Sequence, residues 1–304
     1  MSDLPPLVQV SWVDLPVVEA SGLATRTVDG VLEVIVVGDR TSQVGVGSYT
    51  PTEGFTDWRI IDLALADGWP SPLNDSQLEA VAVDGGRLVA MMREDPPIVL
   101  VADAEERRLR AQIALTAPPG SPLRGKWGDP SSRGEGLVML RGGRLLVAKE
   151  KRPAALVEFC PVGEPARGIS RDDFLGPDEE WDSPDGEVEF VATAMWRLKG
   201  RAKKTIRDIS DLAVAGDRTL WLLSDKSASV ARLDLDTPLP SAGGKLRSVD
   251  HAWHLPEGSA KPEGIASLGD RRVLVAMDTD SERRNGLIAE FLVGDDRPTR
   301  RVAT

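Results

Sequence analysis

The chain has 304 residues, 41% hydrophobic and 28% charged, a balance that excludes intrinsic disorder and supplies the apolar material for a core. Its 48 acidic residues outnumber 37 basic ones, and the net charge of −11 speaks against general affinity for nucleic acid or anionic lipid, while leaving room for a local basic site. A single cysteine, Cys160, excludes an internal disulfide and a thiolate zinc cluster; with no apolar leader at the N-terminus and no long uncharged apolar stretch, a cytoplasmic protein is expected.

In chain order, residues 8–14 read as a strand that precedes any complete unit. From Ser21 onward one pattern recurs five times: a small or acidic residue, then Gly, Ala or Asp, then an aliphatic run, a turn and a second aliphatic run. The copies start at Ser21-Gly22-Leu23, Glu79-Ala80-Val81, Glu135-Gly136-Leu137, Ser210-Asp211-Leu212 and Glu263-Gly264-Ile265. Their spacings of 58, 56, 75 and 53 residues suit four-stranded propeller blades.

The first runs end in Asp29-Gly30, Asp84-Gly85-Gly86, Gly142-Gly143, Gly216-Asp217 and Gly269-Asp270. Such pairs tolerate the positive φ that tight hairpin turns need. Second strands are predicted at 32–37, 87–92, 144–149, 219–223 and 272–277. Third strands are predicted at 98–102, 155–159, 229–233 and 287–292, with only a weak signal over 44–49. Outer strands are predicted at 58–65, 109–115, 188–198 and 249–255, whereas the last unit runs out near Arg300 without one.

The pattern predicts an all-β fold, a five-bladed β-propeller of four-stranded antiparallel blades in which the N-terminal strand closes the last blade and so removes a free sheet edge. Residues 1–304 form one domain on this reading. The surplus of the long interval falls in Pro161 to Glu187, a polar, acidic, turn-rich stretch inserted in the third unit, either a solvated loop or a lid over the channel.

An innermost blade strand lies beside the axis, so the triplets bring Ser21, Glu79, Glu135, Ser210 and Glu263 to one channel mouth. Three carboxylates and two hydroxyls form an oxygen cage suited to Ca²⁺ or Mg²⁺. Without a cation or basic partners, mutual repulsion raises the carboxylate pKa values. Arg133, Arg207 and Lys261 stand near the triplets. The ends of the second strands add Asp39-Arg40, Arg93-Glu94-Asp95, Lys149-Glu150-Lys151, Asp225-Lys226 and Asp278 with Asp280. Such a mouth suits a small anionic substrate, held by Arg133, Arg207, Lys261, Lys149, Arg93 and Arg40. The competing reading is structural: the strand-end charges face water, and the glutamates accept backbone N–H bonds from the next blade.

Other constellations carry less. His251 and His254 lie three apart in a predicted outer strand and point to opposite faces. Cys160 reads as a small buried hydrophobe. Trp12, Trp58, Trp196 and Trp253 read as packing between blades, while Trp127 and Trp181 fall in loops within reach of a ligand. No nucleophile elbow, Walker loop or dinucleotide fingerprint occurs.

Glu135-Gly136-Leu137 with Gly143-Arg144-Leu145-Leu146-Val147, Asp208-Ile209-Ser210-Asp211-Leu212 leading to Leu222-Leu223-Ser224-Asp225, and Pro262-Glu263-Gly264-Ile265 resemble the repeats of the SdiA-regulated and esterase-like phytase propellers. They are also similar to the blade starts of calcium-activated nucleotidases (apyrases). That resemblance implies five blades with a calcium ion on the axis. Ser21 and Ser210 depart from it, standing where a full carboxylate ring has Glu or Asp.

Two functions follow as expectations. One is a metal-dependent hydrolase of a phosphate ester or anhydride, or of an ester or lactone, with Glu79, Glu135 and Glu263 holding the ion and serving as acid or base. The other is a non-enzymatic propeller that binds a small ligand or a protein at the mouth, with a structural ion on its axis. Paired carboxylates also leave glycoside cleavage open. No nucleic-acid or membrane partner is expected.

Overall fold

A computed structural model describes residues 4–63, 67, 77–127, 133–269, 271–279 and 285–294. Its first strand, β1 (Val8–Val18), does not pair with the next in sequence. The chain then forms β2 (Ala20–Val28), β3 (Val31–Gly38), β4 (Gln43–Thr50) and β5 (Gly54–Asp62), a four-stranded antiparallel unit. A second unit follows in β6 (Leu78–Val83), β7 (Leu88–Arg93), β8 (Ile98–Asp103) and β9 (Arg108–Thr116). The third comprises β10 (Arg133–Leu140), β11 (Arg144–Lys149), β12 (Ala155–Pro161) and β13 (Gly186–Leu198). A short helix, α1 (Gly200–Thr205), leads to β14 (Asp211–Val214), β15 (Leu220–Ser224) and β16 (Ser229–Leu233); β17 (Gly244–Leu246) branches off, and β18 (His251–His254) completes the fourth unit. The last unit is β19 (Lys261–Gly269), β20 (Arg272–Asp278) and β21 (Asn285–Leu292), with β1 as its outer strand.

The innermost strands β2, β6, β10, β14 and β19 pack in that order, and β19 returns to β2. Among the described residues these units close on themselves as a propeller, and β1 against β21 is the closure the sequence predicts. Its register runs from Val8 opposite Leu292 to Val18 opposite Asn285.

Second strands are aliphatic without alternation because both their faces are buried. Val34 and Val36 pack toward the last unit with Leu274 and Ala276, while Ile35 and Val37 pack toward the second with Met91 and Leu100. In β11, Leu145 and Val147 face the second unit and Leu146 and Ala148 the fourth. Each fully buried Val, Leu or Ile contributes about 1.5–3 kcal/mol, so the apolar stabilisation lies chiefly between blades.

Four features differ from the sequence reading. The weak signal over 44–49 is a full strand, β4, whose Gly47 leaves room for the Trp58 ring; a Cβ there would stand 2.7 Å from it. Trp12 does not pack between blades: with Val8 and Val10 it faces outward on the closing strand, 62% exposed. Trp127 and Trp181 are core residues, their indole N–H groups donating to Leu115 O and Leu140 O. Finally, β9 and β13, the outer strands of two neighbouring units, pair in parallel, and β17 adds to β13. The first outer strand, predicted over 58–65, runs from Gly54 to Asp62, and Leu65 lies outside the described residues, as do Asp270, Asp280 and the stretch to Arg300.

The acidic stretch after β12 folds back onto the second and third units. Phe174 and Trp181 are buried, the Trp181 N–H donates to Asp84 Oδ2 at 3.0 Å, and buried Arg144 holds both Glu158 and Asp173. Leu175, Gly176 and Pro177 line the channel at the end where the hairpin turns lie, opposite the triplets.

Candidate functional site

Four of the five inner strands begin with a register irregularity at the triplet. The breaks fall between Ala20 and Gly22, Leu78 and Ala80, Arg133 and Gly136, and Pro262 and Gly264. A bulged residue leaves the ladder and its side chain is re-aimed. Ser21, Glu79, Glu135 and Glu263 are those residues, and they meet Ser210 around one cavity. In the fourth unit Ser210 directly precedes β14 and its amide donates to Leu223 O at 2.9 Å.

The position after the bulge is small in four units because neighbouring inner strands nearly touch. A Cβ on Gly22 would lie 2.8 Å from Ala80 Cα, and one on Gly264 2.9 Å from Leu23 Cβ. The fourth unit instead carries Asp211. Its carboxylate, wholly buried, accepts from the amides of Leu212 and Ile265, each at 2.7 Å, and of Leu23 in the first unit. Asp211 therefore spans from its own blade to two others at the waist of the ring. Above it lies a cavity of about 220 Å³ lined by acids; below it an apolar funnel of about 270 Å³ opens to the far end.

The acid cavity has two tiers. Glu79, Glu135 and Glu263 form the lower one with the two serines. Asp39, Glu94, Glu150, Asp225 and Asp278, one from the end of each second strand or just past it, form the upper one with Glu19. Only Lys151 and Lys261 among the lining residues are basic, and each contacts a glutamate, Glu150 and Glu263 respectively.

The serines are held by backbone. Ser21 Oγ donates to Leu78 O of the second unit, and Ser210 Oγ accepts from the Asp225 amide at 3.0 Å. Glu79 and Glu135 differ: both are half-buried in the cavity wall, and among the described residues no hydrogen bond or ion pair reaches either carboxylate. Burial, then the charges of Glu94, Asp39 and Glu263, raises Glu79 to about 8. Burial and the neighbouring Glu79 raise Glu135 well above the usual range. Glu263 is raised to about 7 by burial against the opposing pull of Lys261, and Glu94 to about 7, chiefly by burial.

Of the six bases expected to bind an anion, Lys261 lines the cavity. Arg133 turns away, donating to Trp127 O at 2.6 Å and pairing with Asp95. Arg40 pairs with Glu19 at 2.8 Å, Lys149 is fully buried in β11, and Arg207 is exposed beside the mouth. Arg93 ends β7 with its Nε buried. Sequence reasoning did not single out Asp211 as the tie between three inner strands, although an acid at a site otherwise held by Gly or Ala is a readable signal.

The donor set is all oxygen and suits a hard cation. As the side chains stand, no three Asp, Glu, His or Cys residues among those described converge tightly enough to ligate one ion. The two half-buried carboxylates, Glu79 and Glu135, are what such an ion would neutralise. His251 and His254 stand apart from this site, facing Asp234 and Ala228 O. Cys160 is buried beside Thr193, and burial raises its thiol to about 11.

No family model matches the chain, and no curated protein matches it. Solved structures do. The PQQ-bound aldose sugar dehydrogenase of Streptomyces coelicolor is 13% identical over 95% of this chain and 100% of its own, with a TM-score of 0.45. A luciferin-regenerating enzyme is 9% identical over 95% of both chains, with a TM-score of 0.48. The calcium-binding protein regucalcin of Agrobacterium tumefaciens is 11% identical over 97% of this chain and 98% of its own, with a TM-score of 0.47. None of the three is an SdiA-regulated protein, an esterase-like phytase or a nucleotidase, and the resemblance read from the repeat stands at the level of the propeller. Among the described residues no helix is long and apolar enough to cross a membrane.

Proposed function

We propose that the acidic mouth is the centre of a divalent-cation-dependent hydrolase acting on a small substrate with a phosphoryl or carboxyl-ester oxygen. The observation that carries this reading is the pair Glu79 and Glu135, half-buried side by side in the cavity wall, mutually repelling, and reached by no hydrogen bond or ion pair among the described residues. Glu79, Glu135 and Glu263 would hold the ion. When bound, Ca²⁺ or Mg²⁺ supplies Lewis acidity toward a substrate oxygen and offsets the charge of the mouth. Glu94, raised to about 7, is suited to exchange a proton near neutral pH, and Lys261 and Lys151 are the bases positioned to orient an anionic oxygen.

The test is a titration with Ca²⁺ and Mg²⁺ followed by calorimetric melting, with turnover assayed on generic phosphoesters, nucleotides and lactones. Glu135→Gln is expected to keep the fold and lose both ion stabilisation and turnover. Wild-type protein that gains no melting temperature from either ion and turns over none of these substrates would overturn the reading.

A second reading is a non-enzymatic propeller that binds a small ligand at the mouth. It is favoured by the bases: of the six expected to hold an anion, only Lys261 lines the cavity. Ion binding without turnover of any substrate would select it.

A further inference from the structure

Between Phe190 and Asp208 the chain has no acidic residue and six bases: Arg197, Lys199, Arg201, Lys203, Lys204 and Arg207. Residues 237–249 likewise hold Lys245 and Arg247 and no acid. The fold joins the two stretches. Arg197 lies opposite Lys245 in the parallel pairing of β13 with β17, so their side chains leave the same face. The Lys199 amide donates to Leu246 O at 2.9 Å, and the Ala202 amide of α1 to Arg247 O at 2.9 Å. Helix α1 buries Ala202 and Thr205 and presents Arg201, Lys203 and Lys204 to solvent.

Elsewhere on this chain most arginines sit in ion pairs, as with Arg26, Arg59, Arg87, Arg110, Arg141 and Arg272. Among the described residues no ion pair reaches any of the eight bases here. Seven are exposed and Arg197 is half-buried. Burial, with smaller pushes from Lys226 and Lys199, lowers Lys203 against the pull of Asp208 and Glu150. Taking these eight from a chain of net charge −11 leaves −19 on the rest. Since exposed charges are screened over about 8 Å at physiological salt, the shelf acts locally as a cation.

Its place also matters. Helix α1 joins an outer strand to the next inner strand, so it lies on the side of the ring where the triplets begin, next to the acid mouth. We propose that this basic shelf is a docking surface for a short acidic segment of a partner protein. Charge complementarity identifies the occupant class, and size narrows it. Six helical residues span about 9 Å, a match for a few acidic side chains. An extended nucleic acid leaving the shelf meets a molecule that is otherwise −19, and the shelf offers no exposed aromatic ring for a base, since Trp196 is buried with its N–H on Pro240 O. An anionic membrane meets the same repulsion.

The test is fluorescence anisotropy of a labelled peptide of about four glutamates with the whole chain at low salt, repeated near 150 mM salt. Binding is expected at low salt and weakens severalfold as salt rises. The triple reversal Lys199→Glu, Lys203→Glu, Lys204→Glu weakens it at least tenfold, whereas Arg87→Glu, across the molecule, does not. Should the triple variant melt early, Lys245→Gln with Arg247→Gln reports on the same shelf without touching the helix. Absence of binding at low salt overturns the proposal, as does unchanged binding by a folded shelf variant. Tighter binding of single-stranded DNA of equal charge or of anionic vesicles, or self-association through the shelf, also overturns it.

Discussion

Asp211 Oδ2 accepts a 2.7 Å hydrogen bond from the amide of Ile265, tying the fourth inner strand to the fifth. The same carboxylate takes the Leu212 amide on Oδ1 and the amide of Leu23 from the first unit. Burial, with the charge of Glu263, holds this group well above the usual carboxylate range although the three amides pull it down. Each buried donor left unmade costs ~1–3 kcal/mol. Asp211→Ala is therefore expected to lose at least ~2 kcal/mol in urea unfolding. Asp211→Asn should lose part of this, because its amide nitrogen cannot accept. A variant as stable as wild type would show that the amides find other partners.

Gly136 tests how tightly the waist is packed. A Cβ there would stand 2.8 Å from the Leu212 amide nitrogen and from Leu212 Cγ. Gly136→Val should cost ~1–3 kcal/mol or more through overpacking, read as a lower melting temperature. Gly216→Ala, where a Cβ meets nothing within 4 Å, should stay within ~0.5 kcal/mol of wild type. Equal stability of the two variants would contradict a closed waist.

Stability should fall as pH rises through neutrality. Glu79, Glu94 and Glu263 hold their protons to about 8, 7 and 7 in the folded chain, whereas unfolded glutamates release them near about 4.3. Their contribution is thus complete below the unfolded value and is lost as pH climbs through 7 to 8. Without divalent ions, the melting temperature is expected to drop between about pH 5.5 and 8.5. Glu79→Gln should flatten that slope. Calcium, competing with protons for the same oxygens, should stabilise more at the upper end than at the lower. A melting temperature that rises over this range would refute the assignment.

The ring and its acid tier were legible because each depends on a local pattern repeated five times: an aliphatic run, a Gly or Asp turn, and a distinctive first residue. The direction of the bases was not. Arg133 is only two residues from Glu135, yet Gly134 between them adopts φ 75° within the bulge and the guanidinium leaves for Trp127 O and Asp95. Side-chain direction beside a bulge depends on one backbone dihedral, which residue spacing does not encode. Trp12 illustrates a different gap. Its aromatic character suits packing, but β1 is the outer strand of the closing blade, and the ring faces solvent. Parallel pairing of β9 with β13 joins segments about 75 residues apart and leaves no local trace.

The acidic stretch after β12 is held by a buried ion cluster. Arg144 and Glu158 are both almost fully enclosed; Arg144 reaches Glu158 and Asp173, and the amides of Arg167 and Gly168 complete the Glu158 carboxylate. Removing one member of such a cluster leaves the other charge buried without its partner, which costs ~3–5 kcal/mol. Arg144→Ala is expected to lose that much and to free the stretch from 162 to 185 to proteolysis. Replacing both charges, Arg144→Met with Glu158→Gln, should recover part of the loss: no fully buried charge stays behind and half-buried Asp173 keeps its bonds from Ser170, although the Gln oxygen can accept from only one of the two amides. If the double variant is as unstable as Arg144→Ala, the loss lies in packing. If neither variant changes protease sensitivity, Trp181 and its bond to Leu140 O hold the stretch without the cluster.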